Sequence, residues 1–171
     1  CFPSRRRAAD PLSLRTRAMM YRVTREMKFC YGHRLINYEG KCRHLHGHNG
    51  RVLVTLESAT LDQRGMLIDF ADIKAVLQRW IDDTLDHNML LCKDDPLVPI
   101  LRERGERHYV MEANPTAENI ARLIFERGRE AGLPIIEVTL WETDNCHASF
   151  CGPLTITADN LQANGRTIVH G

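Results

Sequence analysis

From Tyr21 the chain alternates. The odd positions Tyr21, Val23, Arg25, Met27, Phe29, Tyr31 and His33 are mostly apolar, whereas the even positions Arg22, Thr24, Glu26 and Lys28 are polar. A period of two over Tyr21 to His33 predicts a strand with one buried face. A second alternation, His46 to Glu57, places Val52, Val54 and Leu56 on the same parity as His46 and His48, so those two imidazoles are predicted to point inward. Asp62-Gln63-Arg64-Gly65 then turns the chain. From Asp69, a fitting N-cap, the period changes: Phe70, Ile73, Leu77, Trp80, Ile81 and Leu85 recur at three and four and predict the buried stripe of a helix. Cys92 to Arg107, with Pro96, Pro99 and Gly105, reads as a surface loop with a helical turn between the prolines and the glycine. His108 to Glu112 follows as a short strand. Asn114-Pro115-Thr116 opens a second helix in which Pro115 suits an early position, Ile120, Leu123 and Ile124 form its stripe, and Gly132 and Pro134 end it. Ile135 to Glu142 reads as a strand with Ile136, Val138, Leu140 and Glu142 on one face, and Cys146 to Ile156 as the last strand.

Two neighbouring inward histidines need a cause, and the residues around them suggest one. Lys41-Cys42-Arg43-His44-Leu45-His46-Gly47-His48 crowds three histidines and a cysteine together. If the first two strands pair antiparallel, His33 on the inner face meets His46 and His48, with Gly32 allowing a bulge that re-aims it. Three neutral imidazoles suit zinc, and a catalytic zinc keeps its fourth position for water or substrate. Glu142 continues an apolar row, so its inward charge requires a partner, either an arginine or a bound ligand.

Composition narrows the class without adding to the chemistry. With 171 residues, 43% hydrophobic and a formal net charge of +1, one globular domain with a real core is expected, without the bulk basicity of a nucleic-acid binder. No apolar run approaches the roughly 18 residues that span a bilayer. Six cysteines (Cys1, Cys30, Cys42, Cys92, Cys146, Cys151) lack the short regular spacings of a disulfide scaffold, which points to free thiols and a cytoplasmic setting. Residues 1–18, with five arginines against one acid, are expected to be a disordered or non-native leader. A single domain is expected over 19–157, with a loosely held tail over 158–171.

Five motifs in order, His33-Arg34-Leu35, Lys41-Cys42-x-x-x-His46-Gly47-His48, Leu85-Asp86-His87, Asn114-Pro115-Thr116-Ala117-Glu118-Asn119 and Trp141-Glu142-Thr143, resemble the 6-pyruvoyltetrahydropterin synthase family. The four-residue step from Cys42 to His46 is similar to its 6-carboxytetrahydropterin synthase branch. The resemblance implies an α+β tunnelling fold (T-fold): an antiparallel sheet with two helices on one side, closed into a barrel by homo-hexamer assembly. It implies zinc on His33, His46 and His48, with Cys42 as general base. Asp86 and His87 would be a relay pair presented to the cysteine by a neighbouring subunit. Glu142 would anchor the pterin, and Thr116 and Glu118 would line its pocket. The implied substrate is 7,8-dihydroneopterin triphosphate. The implied products are 6-carboxy-5,6,7,8-tetrahydropterin, triphosphate and acetaldehyde, on the route to queuosine. The alternatives are a 6-pyruvoyl or 6-hydroxymethyl product, or a zinc-stabilised T-fold binding protein without turnover. Asp144 and Asn145, and the length of the segment from Leu91 to Val110, depart from the family pattern, and His44 has no matching role in it.

Overall fold

The computed structural model describes residues 19–152; the expected leader, the tail and the end of the predicted last strand lie outside the described residues. Two long strands form the centre. β1 (Tyr21–His33) and β2 (His46–Ser58) pair antiparallel in unbroken register from Tyr21 opposite Ser58 to His33 opposite His46. The bulge expected at Gly32 is therefore absent from this pair. Instead, a Cβ at Gly32 would stand 2.6 Å from Cε of Met89, so the glycine admits a neighbouring side chain rather than bending the strand.

Helix α1 is one continuous run of Phe70–Ile73, a π turn over Lys74–Gln78, and Arg79–Thr84. Asp69 caps it, its carboxylate accepting from the Ala71 amide at 2.8 Å. The predicted stripe holds at Ile73, Leu77, Ile81 and Leu85, all fully buried, but Phe70 in the first turn is exposed. The chain then enters β3 (Asn88–Cys92), α2 (Leu97–Glu103), β4 (His108–Met111), α3 (Ala117–Glu130), β5 (Ile135–Thr143) and β6 (Cys146–Cys151). The segment Cys92 to Arg107 carries the expected helical turn as α2, while β3, a buried strand that the sequence pattern left unassigned, precedes it and shares only Cys92 with it. Thr116, not Pro115, meets the start of α3: Thr116 is the N-cap and its hydroxyl oxygen accepts from the Asn119 amide. Gly132, at φ +85°, stops that helix in a conformation that side chains resist.

The strand order is β4-β3-β1-β2-β5-β6. The pairs β1–β2, β2–β5 and β5–β6 are antiparallel as expected, while β1–β3 and β3–β4 are parallel, so the sheet is mixed and three helices accompany it. A register shift between Thr55 and Leu56 sets Leu56 opposite Ile135, and Ile135 rather than Ile136 becomes the buried member of the β5 row. Met27, Phe29, Tyr31, Val52, Val54, Leu56, Val138 and Leu140 from the sheet form one core with Ile73, Leu77, Ile81, Ile120 and Ile124 from α1 and α3. At about 25 cal/mol per Å² of apolar surface removed from water, that shared face is the main source of stability. It also fixes the register that carries the histidines.

Candidate metal centre

Register brings the three imidazoles together. His33 lies directly across from His46, and Tyr31 from His48. Nε2 of His33 is 3.0 Å from Nε2 of His46 and 3.1 Å from Nε2 of His48. The three ligand atoms all lie within 4.8 Å of one another, the only such group of His, Cys, Asp and Glu among the described residues. His33 is buried, 2% exposed, while His46 and His48 are half-buried.

The far nitrogens decide what these rings can hold. Nδ1 of His33 donates to the Pro115 carbonyl at 2.7 Å, and Nδ1 of His46 donates to the His44 carbonyl at 2.8 Å. A carbonyl can only accept, so both neutral rings carry their proton on Nδ1 and turn Nε2 lone pairs toward each other across 3.0 Å. Protonating one ring would relieve that clash. However, burial pushes the His33 imidazole below its ordinary value, outweighing the Pro115 carbonyl and the Glu142 charge that pull it up. A cation held by the lone pairs resolves the conflict. Imidazole nitrogens about 2.0–2.1 Å from a tetrahedral zinc stand roughly 3.3 Å apart, close to the spacing seen here. Carbonyl-anchored Nδ1–H groups are also the usual way that ligating histidines are oriented.

Glu142 continues the inner row of β5, as its parity requires. Its partner is not an arginine: the buried Tyr31 hydroxyl donates to Oε1 at 2.9 Å, and Nε2 of His33 is 3.8 Å from the same oxygen. Burial and the adjacent carboxylate push the Tyr31 phenol well above its ordinary value, so it remains a donor.

The other expected residues are distributed around this cluster. Cys42 is half-buried in the 3₁₀ turn Lys41–Arg43; its carbonyl accepts from the Leu35 amide at 2.8 Å, tying the turn to the residues after β1. Asp86 and His87 pair with each other, Oδ2 to Nδ1 at 2.6 Å, while Oδ1 of Asp86 accepts from the Cys30 amide at 2.7 Å. Burial pushes the Asp86 carboxyl up, but the Cys30 amide, the His87 ring and Arg107 together hold it below the usual carboxylate value. His87 sits at φ +54° with an exposed ring. Within one chain, Cys42 is not among the hydrogen-bond partners of either residue. Thr116 spends its hydroxyl on the α3 cap, and Glu118 is exposed in the first turn of α3. Their neighbour Pro115 is the residue that touches the metal cluster.

The supporting roles of several residues are not legible in the sequence. Arg34, next to His33, makes a two-pronged ion pair with buried Asp95, Nε to Oδ2 at 2.7 Å. The side chain of Asn114 bonds both the amide and the carbonyl of Ile36 at 2.9 Å. His44 is exposed, and its backbone carbonyl supplies the support for His46. Parity placed Tyr31 inward, but only the β1–β2–β5 register brings it to Glu142.

The family model described as 6-pyruvoyl tetrahydropterin synthase matches residues 22–153. A 6-carboxy-5,6,7,8-tetrahydropterin synthase of Rickettsia typhi is 38% identical over 134 residues, covering 74% of this chain and 97% of that protein. A Haemophilus influenzae protein of the same name is 30% identical over 140 residues, covering 77% and 97%. Among solved structures, an uncharacterized protein of Wolinella succinogenes superposes with a TM-score of 0.65 at 32% identity, covering 78% of this chain and 98% of that one. The 6-pyruvoyl tetrahydropterin synthase of Caenorhabditis elegans shares the fold, with a TM-score of 0.60 at 24% identity over 80% and 98%. The chain belongs to the 6-pyruvoyl tetrahydropterin synthase family.

Proposed function

We propose that the protein is a zinc-dependent lyase, a 6-carboxy-5,6,7,8-tetrahydropterin synthase, that converts 7,8-dihydroneopterin triphosphate to 6-carboxytetrahydropterin with release of triphosphate and acetaldehyde. This chemistry is a step toward 7-deazaguanine and queuosine. The observation that carries the reading is the meeting of three imidazole Nε2 atoms, that of His33 lying 3.0 and 3.1 Å from those of His46 and His48, beside one inward carboxylate. The curated relatives named above support the choice of product.

His33, His46 and His48 would hold zinc, leaving one position for substrate. When bound, zinc supplies Lewis acidity to the hydroxyls of the substrate side chain and so acidifies the neighbouring carbon-bound protons. Cys42, four residues before His46, is the proposed general base; as a thiolate it accepts such a proton and returns it at the adjacent carbon. Glu142 accepts from the amino and ring N–H groups of the pterin and fixes the ring against that chemistry. Asp86 holds His87 through their 2.6 Å contact, and the exposed His87 ring suits delivery to the Cys42 of another copy in a homo-hexamer. Thr116 and Glu118 would line the pterin pocket, from the segment whose Pro115 carbonyl orients His33.

The test is incubation with 7,8-dihydroneopterin triphosphate, with and without a chelator, followed by product identification. The expected result is 6-carboxytetrahydropterin and acetaldehyde, abolished by chelation and restored by zinc. A 6-pyruvoyl or 6-hydroxymethyl product would assign the chain to a different side-chain chemistry, and binding without turnover would overturn the enzymatic reading.

A further inference from the structure

Glu142 and the metal cluster stand closer than an open coordination site tolerates without restraint. Zinc binds imidazole nitrogen at about 2.0–2.1 Å and carboxylate oxygen at about 2.0–2.2 Å, so two such ligands of one ion stand roughly 3.3 Å apart. Oε1 of Glu142 is 3.8 Å from Nε2 of His33. A shift of about half an ångström would bring this one contact, though not those to His46 and His48, to ligand spacing. Even so, Glu142 is outside the set of groups whose donor atoms lie within 4.8 Å of one another, which contains His33, His46 and His48 alone. Something holds the carboxylate back.

The restraint is Tyr31. Its hydroxyl donates to the same Oε1 at 2.9 Å. Tyr31 as a residue is 3% exposed, and its ring packs at centroid distances of 5.1 Å from Phe29, 5.3 Å from His33 and 5.7 Å from His48. Gly50 leaves it room, since a Cβ there would lie 3.0 Å from Cε1 of the Tyr31 ring. A ring wedged on several sides cannot follow the carboxylate, so its hydroxyl acts as a fixed tether.

We infer that Tyr31 is a positioning residue that tethers the Glu142 carboxylate off a cation bound by His33, His46 and His48, keeping the fourth coordination position available to a ligand. This rests on the metal reading above. The tether engages one oxygen of the carboxylate, Oε1, through the Tyr31 hydroxyl.

The experiment compares wild-type protein, Tyr31→Phe, Glu142→Gln and the double variant. Zinc affinity is measured by competition with a chromophoric chelator, and the cobalt(II)-loaded forms are titrated with azide while the visible bands are followed. Tyr31→Phe removes only the hydroxyl. It is expected to bind zinc more tightly, because the released carboxylate becomes a fourth protein ligand and closes the site. Its cobalt bands should no longer respond to azide. Glu142→Gln, which removes a nearby negative charge but no ligand, is expected to retain zinc with no gain in affinity, and the double variant to match Glu142→Gln in affinity and to regain the azide response. Unchanged or weaker affinity in Tyr31→Phe, or a preserved azide response, overturns the inference, and so does loss of zinc from Glu142→Gln. Wild-type protein that binds no metal overturns the metal reading and this inference together.

Discussion

Arg34→Met isolates a buried charge immediately behind the first histidine. The Asp95 side chain is fully buried and Arg34 is 22% exposed. The carboxylate takes two contacts from the guanidinium and one from the Leu97 amide at 2.8 Å. Removing one partner of a buried pair costs about 3–5 kcal/mol, and the partial exposure of Arg34 places this case near 3. For a domain of this size each kcal/mol corresponds to roughly 3–5 °C in Tm, so a fall of about 10 °C is expected. The loss should be recovered largely in Arg34→Met/Asp95→Asn, where no charge is stranded and the amide oxygen still accepts from Leu97.

The same contact fixes a pH signature. Burial pushes the Asp95 carboxyl up, but Arg34 and the Leu97 amide hold it below the usual carboxylate value. A depressed folded-state value contributes stability that is present above the unfolded value of about 3.9 and disappears as pH falls through the folded one. In Arg34→Met the push from burial acts without its main counterweight. The deficit of that variant should therefore be largest near neutrality and shrink below about pH 4. Urea denaturation of wild-type, single and double variants at a fixed chain concentration across pH 3–8 makes the measurement. A loss below about 1 kcal/mol at pH 7, or a double variant no better than the single, would refute the reasoning.

Three further outcomes follow from other parts of the molecule. Cys42→Ala is expected to lower turnover by at least about a hundredfold while zinc content and Tm stay at wild-type values, as steady-state kinetics and metal analysis would show. Asn114→Ala, which removes both bonds to Ile36, should cost about 1–2 kcal/mol in denaturant titrations. It should also raise amide exchange around Leu35 to Tyr38. Gly132→Ala meets no atom within 4 Å and costs only the φ of +85°, about 1 kcal/mol in the same titrations, with zinc binding unaffected.

Parity made half of the site legible. Period-two alternation in Tyr21 to His33 and in His46 to Glu57 was enough to turn all three histidines inward, because a one-residue slip would have exposed Met27, Phe29, Val52 and Val54. The inward Glu142 was legible for the same reason. Its partner was not, since Tyr31 and Glu142 meet only after two antiparallel registers are laid side by side. β3 escaped because Asn88-Met89-Leu90-Leu91-Cys92 is nearly all buried and shows no alternation. The bulge that exchanges Ile136 for Ile135 depends on the partner strand rather than on β5 alone. Phe70 matched the helical stripe but falls in the first turn of α1, beyond the edge of the core. His44 was set aside as a side chain, although its backbone carbonyl does the orienting.

X-ray absorption at the zinc edge of the purified, zinc-loaded protein tests the metal centre most directly. Three imidazole nitrogens and one oxygen donor at about 2.0–2.1 Å are expected, with an imidazole lost in His46→Ala. A sulfur scatterer at about 2.3 Å would place Cys42 on the metal instead of beside it, and absence of stoichiometric zinc would leave the converging lone pairs without the cation they imply.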